Sequence, residues 1–225
     1  MKFKAFTLTD LLVALVIIGV IAALTLPNII SHLQYKGYVE KLKKTYSLIQ
    51  NATSLIVYEE GEPSEWILNA YEMQSHEPNI NVVNLYSKKL NYTSYCGYSF
   101  WKETECAGTT ETYKDMNGQK LNLAMLVSAA YYNFLLKDGV TLGLRFRSNI
   151  GGFFLWNYPD LIFFVDVNGK NKPNTVGRDI FYFYLDKRDR GKIYPYGYNL
   201  EDDCKKGGAG YTCAYKILKE NNMNY

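Results

Sequence analysis

Histidine is scarce in this chain: only His32 and His76 occur among 225 residues, and they lie on different segments. A metal centre or acid–base pair built from histidine is therefore not expected. A strong charge of one sign is also lacking, since 25 lysines and arginines stand against 22 aspartates and glutamates, and the basic residues are scattered. This balance does not favour sequence-specific binding to nucleic acid.

Familiar catalytic motifs are missing too. The sequence has no Gly-x-Ser-x-Gly, no Walker loop and no His-Glu-x-x-His, so these enzyme classes are not indicated. Long disordered regions are excluded because 48% of the residues are hydrophobic and only 21% are charged. The length of 225 residues suits one domain with an appendage, or two small domains.

What the chain does have is a long apolar run near its start. Lys2 and Lys4 precede residues 11–26, which contain no charged side chain, and Pro27 follows. As a helix, residues 6–26 would be ~31 Å long, about the thickness of the hydrocarbon core of a bilayer. The run predicts one membrane crossing, with the N-terminus in the cytoplasm and the body exported, because positive charge stays inside.

Two simpler interpretations compete with this one. A secretory signal peptide would be cut after the apolar run, for example near Ala22 and Ala23, and a plain signal anchor would stay uncut. Neither interpretation explains Asp10, because an ionised carboxylate in a spanning helix is costly and usually has a functional partner.

The N-terminal segment resembles that of type IV prepilins and type II secretion pseudopilins. The matching residues are KAFTLTDLLVA at 4–14, IIGVIAA at 17–23, and Pro27. The resemblance implies a leader of residues 1–5, cleavage between Ala5 and Phe6 by a prepilin peptidase, and N-methylation of Phe6. It also implies that Asp10 meets the N-terminal ammonium of a neighbouring subunit. The family usually has Gly where Ala5 stands and Glu where Asp10 stands.

The same resemblance implies where the protein acts. The chain is expected in the bacterial cytoplasmic membrane as a single-pass protein, and then in a periplasmic or cell-surface filament. The implied partners are identical or related pilin subunits, the peptidase and an inner-membrane assembly platform. The fold expected is α+β and type IV pilin-like, a long N-terminal helix packed on an antiparallel sheet.

Periodicity beyond the apolar run predicts how the helix continues. Segment 6–27 is expected to be the membrane and assembly helix, and segment 28–60 its amphipathic second half, with Pro27 and Gly37 as weak points. The apolar stripe of that second half is expected to contact a globular head. It comprises Tyr38, Val39, Leu42, Tyr46, Ile49, Ala52 and Ile56.

Residues 61–225 are predicted to form that head. An Asp-Gly turn within residues 135–142 predicts a hairpin, and residues 161–167 and 180–185 predict further strands, about four in all. Residues 74–94 are predicted to be polar and irregular.

Four cysteines lie in polar, glycine-containing stretches without a Cys-x-x-Cys zinc pattern. In an exported body they are expected to form disulfides. Three pairings are possible, and free buried thiols are the remaining alternative. Local pairing of Cys96 with Cys106 and of Cys204 with Cys213 is favoured, because short loops with glycine close easily. A C-terminal disulfide loop is also common in the pilins that the N-terminus resembles.

The connection between the last two predicted strands carries Asp166, Asn168, Asn174 and Asp179. These oxygen ligands could hold calcium, as some pseudopilins do in C-terminal loops, although the spacing is not that of an EF-hand. Three cations, Lys170, Lys172 and Arg178, disfavour a divalent ion, so a hydrogen-bonded turn is the preferred interpretation and no cofactor is predicted.

The function expected is a structural filament subunit and not an enzyme. An anchored exported enzyme or binding module, with no filament role, is the alternative.

Overall fold

The computed structural model describes residues 8–67, 77–99, 104–108, 112–121, 131–146, 161–186, 188–198 and 201–225. The chain forms two compact units, Met1–Gly37 and Tyr38–Tyr225. Ala5 and Phe6, the predicted cleavage and methylation residues, lie outside the described residues.

Helix α1 comprises Leu8–Glu60. It is helical at both Pro27 and Gly37, the positions where sequence analysis placed weak points. Its end is set by Gly61, which has a positive φ of 84° and donates its backbone N–H to Val57 O at 3.1 Å. Glycine adopts this left-handed conformation without steric cost, so the helix stops where Glu-Gly-Glu-Pro follows.

The unit Tyr38–Tyr225 contains a six-stranded sheet. Among the described residues, its helices besides α1 are α2 (Pro63–Trp66), α3 (Glu77–Lys89) and α4 (Cys213–Glu220). The strands are β1 (Tyr92–Ser99), β2 (Tyr131–Leu136), β3 (Thr141–Phe146), β4 (Leu161–Asp166), β5 (Ile180–Leu185) and β6 (Ile193–Pro195). They pair in sequence order and every pair is antiparallel. The α+β arrangement of a long helix and an antiparallel sheet is therefore confirmed, and the described residues contain six strands where about four were predicted.

The predicted stripe of α1 packs on one face of this sheet. Tyr38, Val39, Leu42, Ile49, Ala52 and Ile56 are buried. Tyr46 stacks on Phe183 of β5 with ring centroids 5.4 Å apart. The side chains of Tyr46 and Gln50 also form hydrogen bonds with the chain at and just before β6. Tyr46 Oη donates to Ile193 O at 3.2 Å, and Gln50 Nε2 donates to Gly191 O at 3.1 Å.

One sequence prediction was wrong. Part of the stretch expected to be irregular is α3, which is held by Val82, Val83 and Tyr86, all fully buried. Tyr86 meets Phe163 edge to face at 5.4 Å and shares a 2.7 Å hydrogen bond with Thr53 of α1. The helical spacing of these apolar residues outweighs the low helix propensity of the asparagines and serines around them.

The other face of the sheet carries a second, smaller core. Its buried members are Tyr113, Leu121, Phe164, Val176, Ile180 and Tyr182. Residues 112–121 and 173–179 cover this face, and backbone bonds join them, from Lys114 N to Asn174 O (3.0 Å) and from Val176 N to Lys114 O (2.8 Å).

Candidate functional site

The first candidate site is the apolar part of α1. An 18-residue window of this helix has a mean hydropathy of 2.5, and none of it is buried. The large apolar side chains of residues 8–33 are each 53% to 77% exposed, on every side of the helix. This helix is long and apolar enough to cross a membrane.

Two hydroxyl groups in this segment are satisfied within the helix. Thr25 Oγ1 donates to Ile21 O and Ser31 Oγ donates to Pro27 O, each at 2.9 Å. The hydroxyls therefore need no water in an apolar environment, because bonds to the carbonyl four residues earlier satisfy them. A Cβ placed on Gly19 would meet nothing within 4 Å, so this position is open to close approach by another chain.

Asp10 lies in the first described turn of α1 and is exposed. A carboxylate at this end of a helix is favoured by the helix dipole. It is the only acidic residue in residues 8–37.

The second candidate site is the connection between β4 and β5. Asp166 and Asp179 are both buried, at 1% and 0% exposure. The carboxylate of Asp179 accepts the backbone N–H of Asn174 at 2.8 Å and of Thr175 at 2.6 Å. Asp166 Oδ1 accepts the N–H of Asn168 at 3.3 Å. These bonds make the connection a hydrogen-bonded turn.

Three buried oxygens of the same connection have no hydrogen-bond partner among the described residues. They are Asp166 Oδ2, Asn168 Oδ1 and Asn174 Oδ1. The amide nitrogen of Asn168 is fixed by Tyr38 Oη at 2.9 Å and Lys172 O at 3.0 Å, which leaves its oxygen as the free end. Unpaired buried oxygens cost free energy, and several together with carboxylates are the ligand type of a hard cation.

The electrostatics of the connection favour a bound proton or cation. Burial, followed by the nearby Asp179 charge, raises the pKa of Asp166 well above its usual value. Burial also raises the pKa of Asp179, although the two backbone N–H groups oppose the shift. Lys41 of α1 lowers the pKa of Asp166 in part, and its ammonium donates to Val167 O at 3.1 Å.

Two of the cations that disfavoured an ion in the sequence have other partners. Arg178 Nη2 donates to Tyr225 O at 3.1 Å and its guanidinium lies 5.1 Å from the centre of the Tyr225 ring. Lys170 Nζ donates to Thr104 O at 3.5 Å. The orphaned oxygens could not be read from sequence, because they depend on how the turn closes.

The cysteines lie in the two local pairs that were favoured. Cys96 and Cys106 are bonded with Cα atoms 6.1 Å apart, and Cys204 and Cys213 with Cα atoms 4.8 Å apart. Sequence analysis missed Asp203, which organises the second loop: its carboxylate accepts the backbone N–H of Tyr211 at 3.1 Å and of Thr212 at 2.7 Å.

Comparisons with protein-family models, with curated proteins and with solved structures find no match to this chain.

Proposed function

We propose that this chain is a structural subunit, a pilin or pseudopilin, of a type IV pilus or type II secretion-like filament. The observation that carries the proposal is the surface of residues 8–33, which is apolar on every side and has none of its most apolar window buried. Such a surface needs lipid before assembly, and the helices of other subunits afterwards. The resemblance of residues 1–27 to prepilins supplies the route between these two states.

In this route a prepilin peptidase removes residues 1–5 and the new amine of Phe6 is methylated. The ammonium of each incoming subunit then pairs with Asp10 of its neighbour. Away from water the attraction between the two charges is strong, while either charge alone would be costly. Gly19 and the small side chains of Ala14, Ala22 and Ala23 let the helices approach closely.

The exported head would form the filament surface. Its two disulfides suit an oxidising compartment outside the cytoplasm. The positive-inside bias of Lys2 and Lys4 supports this location.

The test is made on the full chain expressed with a prepilin peptidase and an assembly platform. Mass spectrometry should find a chain that starts at a methylated Phe6, and sheared filaments should contain it. Asp10→Ala should abolish incorporation into filaments, whereas Asp202→Ala, the loss of an exposed acid of the head, should not.

An intact leader, or cleavage near residues 22–23, would refute the proposal and favour an anchored enzyme or binding module. Normal incorporation of the Asp10→Ala protein would refute the role given to this carboxylate.

A second proposed activity is binding of a calcium-like cation by the connection between β4 and β5. The three orphaned oxygens favour it, and Asp166, Asn168, Asn174 and Asp179 would supply the ligands. Calcium should raise the melting temperature of the wild-type protein through mass action. Calcium should leave the melting temperature of the Asp166→Asn protein unchanged. It should raise that of the control Glu62→Gln, which replaces an exposed acid, as much as that of the wild type. Equal melting temperatures in calcium and in chelator would dismiss the cation.

A further inference from the structure

A cluster of tyrosines at the β6 edge of the sheet is not explained by filament assembly. Tyr184 of β5 pairs with Tyr194 of β6. Because Phe183 stacks on α1 and neighbouring side chains of a strand alternate in direction, Tyr184 and Tyr194 project from the face opposite α1. Tyr198 and Tyr215 continue the cluster. We call these four residues the tyrosine surface.

The four rings form a continuous chain. Tyr184 and Tyr194 are stacked at 5.4 Å between centroids, Tyr194 and Tyr198 are tilted at 5.1 Å, and Tyr198 meets Tyr215 edge to face at 5.7 Å. Tyr198 is 37% exposed, and the other three rings are partly exposed. Mutual packing fixes their orientation, so a ligand would meet a preorganised surface.

Two lysines lie beside the tyrosine surface. Lys192 Nζ lies 4.7 Å from the ring centre of Tyr194, and Lys219 Nζ lies 5.9 Å from that of Tyr215. In the part of the chain that the structure describes, neither ammonium forms an ion pair with a carboxylate. Both lysines are exposed, so a negatively charged ligand can reach them.

The nearby acids are already engaged. Asp186 pairs with Arg188, whose Nε donates to Asp186 Oδ1 at 2.8 Å. Asp189 accepts the hydroxyl of Tyr194, and this bond raises the pKa of Tyr194 to about 12. The phenol therefore stays protonated at neutral pH, and Asp189 keeps its negative charge. The charged groups named here are three cations, Lys192, Lys219 and Arg188, against two carboxylates, Asp186 and Asp189, so one positive charge is in excess.

The chemistry of the surface selects the class of ligand. Nucleic-acid bases need an open ring face for stacking, but Tyr184 and Tyr194 cover each other and lysines lie over Tyr194 and Tyr215. The hydroxyl of Tyr194 is donated to Asp189, so the groups left for a ligand are the hydroxyls of the other three partly exposed tyrosines and the two lysine ammonium groups. Hydroxyl groups can bond the phenols, and carboxylates can pair with the lysines. We propose that the tyrosine surface binds an anionic polysaccharide.

The experiment uses the full chain in micelles of a polyoxyethylene detergent, because a sugar-headed detergent would compete. Calorimetric titration with alginate, a polymer of uronic acids, measures affinity. The double substitution Lys192→Ala with Lys219→Ala should weaken alginate binding about tenfold or more. The control Lys88→Ala with Lys137→Ala changes the net charge equally on exposed residues of other elements and should change affinity by less than about threefold.

Two variants of Tyr198 distinguish the contribution of its hydroxyl to binding from that of its ring. Tyr198→Phe should weaken binding several-fold and Tyr198→Ala more strongly, with melting temperatures recorded for both. If Tyr198→Ala does not fold, the lysine variants and Tyr198→Phe still decide the question.

Three other polymers serve as comparisons. Polyglutamate carries carboxylates without sugar, poly(dT) carries bases and phosphates, and dextran carries sugar without charge. Alginate should bind most tightly of the four. Equal or tighter binding of any of the other three would overturn the proposal, in favour of a general cationic patch, a nucleic-acid site or a neutral-sugar site respectively. No alginate binding, or binding that the lysine pair does not affect, would also overturn it.

Discussion

The two parts of helix α1 differ in how their apolar residues are arranged. In residues 8–33 they occur on every side of the helix and the large ones are exposed, whereas in residues 38–56 most form one buried stripe and Leu55, outside it, is 50% exposed. The second part meets its need for an apolar environment within the chain, against the sheet. The first part has none within the described residues of its unit, and this pattern is typical of a helix that lies in lipid or against other helices.

The largest effect is expected from replacing isoleucine by alanine in the buried stripe, and the same replacement in the exposed part serves as the comparison. Ile49→Ala removes a fully buried side chain from the stripe and should lower the free energy of unfolding by about 2–5 kcal/mol. Ile17→Ala removes a side chain that is 53% exposed and should change it by less than about 0.5 kcal/mol. Urea unfolding in detergent, followed by near-ultraviolet circular dichroism, measures both. Equal losses would mean that residues 8–33 pack against the rest of the chain.

The second-largest expected effect is the loss of a disulfide from the unit Tyr38–Tyr225, which contains the sheet. Replacing Cys204 and Cys213 together by serine should cost about 2–3 kcal/mol, because the bond constrains the unfolded chain. The same unfolding measurement reports this loss. Reductant should lower the stability of the wild-type protein more than that of the variant, because the variant lacks this disulfide. A difference in free energy of unfolding between variant and wild type below about 0.5 kcal/mol would contradict the prediction.

A third prediction follows from the buried carboxyl groups. Asp10 in the first unit is exposed, whereas burial in the second raises the pKa of Asp166. The native protein then holds a proton that the unfolded chain releases above pH 3.8. The free energy of unfolding therefore falls as the pH rises from there through the folded-state pKa, by at most about 1.4 kcal/mol per pH unit.

Urea unfolding at a series of pH values, with chelator present, checks this slope. Asp166→Asn should make the fall shallower, because the amide does not titrate while Asp179 still does, and Glu62→Gln should leave the profile unchanged. A wild-type stability that rises with pH over this range would contradict the burial of a protonated carboxyl.

The smallest effect expected is on the exposed side of the second half of α1. Lys44 Nζ lies 2.8 Å from Asp138 Oδ2, but the lysine side chain is 69% exposed. Lys44→Ala should therefore cost less than about 1 kcal/mol, and salt should reduce this cost further. A loss as large as that of Ile49→Ala would contradict this and show that the ion pair stabilises this part of the helix as much as a side chain of the apolar stripe does.

Sequence prediction succeeded where a pattern is local. The stripe from Tyr38 to Ile56, the hairpin around Asp138 and Gly139, and strand β5 were all found from spacing and turn residues. Helix α3 was missed because its three asparagines and one serine hid the spacing of Val82, Val83 and Tyr86. Strand β1 was missed for a related reason, since its register against β2 shifts twice and weakens the alternation of side chains.

The sequence by itself determined that residues 11–26 need an apolar environment, because the hydropathy of a helix without charges does not depend on the rest of the fold. It also favoured the local disulfides, because few residues separate each pair. Only the tertiary structure decided that Asp166 and Asp179 are buried together, that three oxygens near them lack partners, and that four tyrosines meet beside two lysines. These arrangements arise when strands and loops distant in the chain pack together, and no local periodicity encodes that packing.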